Sequence, residues 1–266
     1  MVDGTSLYYE RMGLGFPLVF VSGGGIMDRR SWDPQFEVFA ADYEVIRYDV
    51  RGIGKSARPT EPFSHSNDLF ELLRFLNIDR AHIVGLSVGG AIAIDFAIEY
   101  PERAASLILA SSGVSDDSKA DANVQGLITL STMTKTEGIE CVIAAVLDTP
   151  FVVSAANAPA RERIRQIYLD NHDVFESNFP IYLRWEPIQP PASRRLRDIR
   201  ARTLVLRGDS DSPAYGALVD RITEGIQGCV KLVISGGTHF LNLEKPQEFN
   251  DAVRGFLSGC PTWTRH

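Results

Sequence analysis

Ala81-His82-Ile83-Val84-Gly85-Leu86-Ser87-Val88-Gly89-Gly90 is the stretch on which the fold turns. A short β-rich run, Ala81–Leu86, leads into a serine set between glycines, and a helical pattern then runs from Val88 to Tyr100 and stops before Pro101. Strand, tight turn and helix in that order form the setting that a G-x-S-x-G nucleophile elbow requires. A serine in such a turn is strained, and a side chain at position 85 or 89 would crowd it. The turn lifts the hydroxyl above the sheet edge, and the N-terminal N–H groups of the next helix face the same spot. The five-residue pattern alone recurs by chance as a plain tight turn. Its position between strand and helix favours the functional reading.

Working outward, short apolar or β-branched runs alternate with helix-period segments. Strand candidates besides Ala81–Leu86 are Pro17–Ser22, Glu44–Tyr48, Ser106–Ala110, Thr203–Gly208 and Val230–Ile234, each bounded by Gly, Asp or Ser. Leu69, Leu72, Leu73 and Leu76 repeat at helical spacing with Asn67 placed as N-cap, and a last helix starts at Pro246 with Phe249, Ala252, Val253 and Phe256 on one face. This alternation predicts an α/β fold with a mostly parallel central sheet flanked by helices. Between Gly113 and Asp198 the rhythm breaks: helix-like stretches fall around 122–135, 137–147 and 159–170, followed by a proline-rich loop. The reading is a catalytic core from residues 1–112 and 199–266, interrupted by a helical lid insertion at 113–198.

At 266 residues, 44% apolar and 23% charged, the chain matches soluble globular proteins and is long enough for a large core. Its net charge of −7 argues against a nucleic-acid partner, because an acidic surface gains nothing from counterion release. The basic cluster Arg194, Arg195, Arg197, Arg200 and Arg202 reads as a solvated face or hinge. Cys141, Cys229 and Cys260 are odd in number and far apart, without metal-ligand spacing. No apolar run approaches the ~18 residues of a membrane helix. These features together predict a reduced, cytoplasmic protein without metal or organic cofactor and without a membrane partner.

A serine hydroxyl becomes a useful nucleophile when a base takes its proton and a third group orients that base. Of the five histidines, His239 alone follows a late strand within a glycine-rich loop, Gly236-Gly237-Thr238-His239-Phe240, and is the expected base. His82 begins a strand and reads as structural; His65 and His172 sit in surface-like sequence, and His266 is the last residue. Gly208-Asp209-Ser210-Asp211-Ser212-Pro213 offers two carboxylates, of which Asp211 lies farther out and Asp209 suits a turn or cap. The oxyanion donors expected are the N–H of Val88, next to the serine, and that of Gly24 in Ser22-Gly23-Gly24-Gly25. A phosphate loop is disfavoured there, because neither G-x-G-x-x-G nor G-x-x-x-x-G-K-[ST] is present.

With these residues in place, the chain resembles the α/β-hydrolase fold family over nearly everything outside the insertion. Tyr48-Asp49-Val50-Arg51-Gly52-Ile53-Gly54-Lys55-Ser56 is similar to the family's D-x-R-G-x-G-x-S loop, and Ser31-Trp32-Asp33-Pro34-Gln35 and His239-Phe240-Leu241-Asn242-Leu243-Glu244-Lys245-Pro246 match as well. The resemblance implies Ser87 as nucleophile, Asp211 as acid and His239 as base. Many members carry His-Gly where this chain has Ser22-Gly23, and His where it has Leu86; both departures, with Trp32-Asp33-Pro34-Gln35 and Gly138…Ala145-Val146-Leu147, resemble the 3-oxoadipate enol-lactonase branch. Ser87 sets the chain apart from relatives that attack with a carboxylate, the epoxide hydrolases and haloalkane dehalogenases.

The function implied is hydrolysis of a small carboxylic ester or lactone through an acyl-enzyme. The same three residues would also serve a C–C bond hydrolase of ring-cleavage products, and a non-hydrolytic binding protein on the same scaffold is the alternative of another class. Phe151, Phe179, Tyr182 and Trp185 are candidate substrate-binding wall residues, with ordinary packing of lid on core as the competing explanation.

Overall fold

The alternating runs assemble into one seven-stranded sheet in a computed structural model that describes residues 6–116, 122–176 and 184–259. Its strands are β1 (Tyr9–Met12), β2 (Phe16–Val21), β3 (Tyr43–Tyr48), β4 (Ala81–Leu86), β5 (Ala104–Ala110), β6 (Arg202–Gly208) and β7 (Val230–Ile234). They lie in the order β1-β3-β2-β4-β5-β6-β7. β1 runs antiparallel to β3, and the remaining neighbours pair in parallel. Parallel neighbours require crossovers, which helices supply. α1 (Asp33–Ala40), α2 (His65–Phe75) and α3 (Val88–Glu99) connect the first strands. Among the described residues, four α-helices follow between β5 and β6: α4 (Ala122–Glu137), α5 (Ile139–Leu147), α6 (Ala158–Asp170) and α7 (Asp173–Glu176). α8 (Pro213–Gly225) joins β6 to β7, and α9 (Leu241–Glu244) and α10 (Pro246–Ser258) end the described chain.

The core lies where the central strands meet the helices. Val19, Ile83, Val84 and Leu107 are fully buried in β2, β4 and β5, and α3 buries everything from Gly89 to Ile98. A helix apolar on all sides belongs inside a protein, so α3 is fixed against the sheet rather than laid upon it. Register sets the position of the site: Val21 pairs with Gly85, and Leu86 with Ala110, so three strands end side by side just before Ser87. No helix among the described residues is long and apolar enough to cross a membrane.

Several details differ from the sequence reading. β1 is a further strand; at four residues, none of them buried, it gives no alternation to detect. α1 and α8 are further helices. Each opens with proline within its first two positions, and α8 is capped by the Ser212 side chain, which accepts from the Tyr215 N–H. The N-cap of α2 is Ser64 rather than Asn67: Ser64 is extended and its hydroxyl accepts from the Asn67 N–H at 3.3 Å. β7 is exposed at its first four residues, as befits the strand at the sheet edge. His65 is buried, edge-on to Phe63 and Trp185, instead of lying in a surface segment.

Candidate active site

β4 delivers Ser87 into a turn with φ 55° and ψ −114° before α3 begins. A non-glycine residue in the left-handed region is strained, and the surroundings hold it there. The Ser87 N–H donates to Ala110 O at 2.9 Å, while its carbonyl accepts from Gly90 N and Gly113 N, both at 3.0 Å. The flanking glycines are steric requirements. A Cβ on Gly85 would stand 2.3 Å from Gly89 O, and one on Gly89 would stand 2.3 Å from Val21 O. The G-x-S-x-G spacing therefore reflects a close approach of α3 to β2 and β4.

The loops after β6 and β7 bring the other two residues together. The carboxylate of Asp211 lies 3.2 Å from His239 Nδ1, through Oδ2, and its Oδ1 accepts from Ser212 N at 2.7 Å. An ionised carboxylate only accepts, so the pairing places the imidazole proton on Nδ1 and leaves Nε2 free for a second partner. Asp209 faces elsewhere. It accepts from Gly236 N at 2.8 Å and from the hydroxyls of Ser210 and Ser235, both at 3.1 Å. The Gly236 bond, with the two hydroxyls behind it, holds the Asp209 carboxyl below the usual carboxylate range. Ser87, Asp211 and His239 are all buried.

Gly24 and Val88 are apposed, since a Cβ on Gly24 would stand 2.6 Å from Val88 Cγ2. Phe151 lies beside the histidine through its backbone: its carbonyl accepts from His239 N at 2.9 Å, while the side chain is exposed. Trp185 packs edge-on against His65 with ring centroids 5.3 Å apart, in a short bridge to Phe63. Phe179 and Tyr182 lie outside the described residues. His82 is buried with Nδ1 2.8 Å from Ser106 Oγ, and burial lowers its pKa to about 4, as suits a neutral structural histidine.

Tyr215 is the site neighbour that the sequence reading missed. Its hydroxyl lies 3.2 Å from Ser87 Oγ, and its ring stacks obliquely on His239 with centroids 4.2 Å apart. Among the described residues, the hydrogen bond found at Ser87 Oγ is with Tyr215, not His239. The available signal was Ser212-Pro213, a cap followed by an N1 proline, which starts α8 and puts Tyr215 in its first turn. The same residues show no grouping of three His, Cys, Asp or Glu side chains suited to a metal ion.

Residues 18–252 match the model of the alpha/beta hydrolase family. A 2-hydroxy-6-oxononadienedioate/2-hydroxy-6-oxononatrienedioate hydrolase of Paraburkholderia phymatum is 31% identical over 96% of this chain and 92% of its own length. A relative from Azorhizobium caulinodans bearing the name "Putative carbamate hydrolase RutD" is 27% identical over 95% of both chains. The solved structure of Est816, described as an N-acyl homoserine lactone degrading enzyme, superimposes with a TM-score of 0.74 at 30% identity, covering 96% of this chain and 98% of that one. By family match, sheet order and the serine elbow alike, the chain belongs to the alpha/beta hydrolase family.

Proposed function

We propose that the protein is a cofactor-independent serine hydrolase of a small carboxylic ester or lactone, and that the helical stretch 113–198 caps its pocket. The observation that carries this reading is the Asp211–His239 hydrogen bond beside a serine held at positive φ above the sheet. Ser87 Oγ attacks the carbonyl carbon while His239 Nε2 takes its proton. Asp211 fixes the imidazole tautomer and favours the imidazolium that forms. The N–H groups of Val88 and Gly24 receive the oxyanion, and their apposition supports that pairing. Collapse of the intermediate expels the leaving group, which takes the proton from His239. Water then attacks the acyl-enzyme, with His239 again as base, and Ser87 recovers its proton.

The test is turnover of p-nitrophenyl acetate by the wild type and by Ser87→Ala. Rates should fall roughly 10³-fold or more in the variant. Equal rates, or failure of a fluorophosphonate to label Ser87 in the folded protein, would discard the reading. A C–C bond hydrolase using the same residues is the second reading, favoured by the 31% identity to the dienedioate hydrolase. Parallel assays on an acyl ester, a lactone and a vinylogous diketone decide between the two.

A further inference from the structure

The geometry points to Tyr215 as a further catalytic residue, whose phenol donates a hydrogen bond to the leaving oxygen of the ester or lactone as the tetrahedral intermediate collapses. This rests on the ester or lactone reading above and adds to it which bond is broken well.

The placement is the argument. The oxyanion donors Gly24 and Val88 come from the β2 and β4 side of the serine, where the two residues touch. Tyr215 reaches Ser87 Oγ out of α8, which follows β6 on the other side of β4 from β2 in the sheet order, with its ring on His239. His239 must deliver its proton to the leaving group, so the flank it shares with Tyr215 is the one from which that group departs. In the tetrahedral intermediate Oγ and the leaving oxygen are bonded to the same carbon. A phenol that hydrogen-bonds Oγ therefore stands one small side-chain shift from the leaving oxygen.

In the free protein the phenol and the serine hydroxyl satisfy one another. When negative charge gathers on the departing oxygen, a donor already in place gains strength, because hydrogen bonds to charged acceptors are stronger than neutral ones. That difference between ground and transition state is what accelerates a step. The phenol keeps its proton throughout. His239 supplies the proton that completes the alcohol, so the carbon–oxygen bond breaks and charge balances without another reactant. Where the leaving atom is carbon, it bears no lone pair until the bond breaks, so a donor already in place has nothing to hold beforehand.

The experiment compares wild type with Tyr215→Phe, which keeps the ring against His239, by kcat/KM on p-nitrophenyl acetate and on an unactivated alkyl acetate or γ-lactone. Nitrophenolate leaves with little help; an alkoxide does not. The loss in the variant should be about 10-fold to 100-fold greater on the alkyl ester or lactone than on p-nitrophenyl acetate. A circular dichroism spectrum and a melting temperature that match wild type show that the variant is folded. Equal losses on both substrates would make Tyr215 only a holder of Ser87 Oγ and overturn the proposal, and so would no loss on either. Wild type inactive on every ester and lactone would overturn the ester reading itself, and this proposal with it.

Discussion

Asp209 and Asp211 stand two positions apart in one loop, yet their surroundings give them different work. Asp209 spends its oxygens on Gly236, Ser210 and Ser235, tying the loop after β6 to the loop after β7. Asp211 keeps one oxygen for His239. Replacing Asp211 by Asn presents an amide to the imidazole and favours the wrong tautomer, so kcat should fall about 100-fold or more while the fold persists. Asp209→Asn should leave kcat within about 3-fold and lower the melting temperature instead. Steady-state assays and thermal melts of the two variants check this; comparable kcat losses would remove Asp211 from its proposed role.

At the scale of elements, the loop carrying His239 is built jointly with the chain that follows α5. Thr238 Oγ1 and His239 N donate to the carbonyls of Val152 and Phe151 at 3.0 and 2.9 Å. Beneath them Glu244 of α9, itself buried, accepts from Ser154 N through one oxygen and from Thr238 N through the other, which also shares the single Thr238 hydroxyl proton with Val152 O. One carboxylate thus clamps the entry to α6 onto the histidine loop. Glu244→Gln keeps the volume but turns an amide donor toward donors, at a cost of about 1–3 kcal/mol. The melting temperature should fall by several degrees, and kcat about 10-fold as His239 loses its fixed position. Unchanged kcat with a lowered melting temperature would make the clamp purely structural. The same scale shows what the sequence discloses. β4, Ser87 and α3 are legible because turn, glycines and apolar helix lie within twenty residues, and His239 because its loop has its own glycine signal. Tyr215 meets Ser87 across 128 positions, and Glu244 meets Ser154 across 90, so no local pattern announces either contact. Trp185 is legible as an aromatic in the insertion, but its packing on His65 depends on a histidine whose neighbours are polar in sequence and apolar in space.

At the scale of the whole molecule, buried groups away from the serine make stability depend on pH. Asp95 lies inside α3, where it meets both ends of the helical stretch between β5 and β6. Ser115 Oγ donates to its carboxyl at 2.5 Å, the Ile188 N–H donates from the returning chain, and Ser193 N bonds to Ser115 O at 3.1 Å. Burial raises its pKa from 3.8 to about 7, with Glu99 adding to the rise and Arg195 opposing it. The folded protein then holds a proton that the unfolded chain releases above pH 4, so Asp95 removes stability as pH rises from about 4 to about 7. His82 and His65 act in the other direction. Burial lowers them to about 4 and about 3, so each removes stability as pH falls below the unfolded value of 6.5. In the wild type these slopes oppose one another between pH 4 and 7. Asp95→Asn mimics the protonated acid, keeps an acceptor for Ser115 and deletes one slope. Its melting temperature should match wild type near pH 4 and exceed it progressively up to pH 8, where the relieved cost is at most roughly 4 kcal/mol. Paired thermal melts across that range read the difference directly, and a gap that does not change with pH would show that Asp95 is ionised throughout.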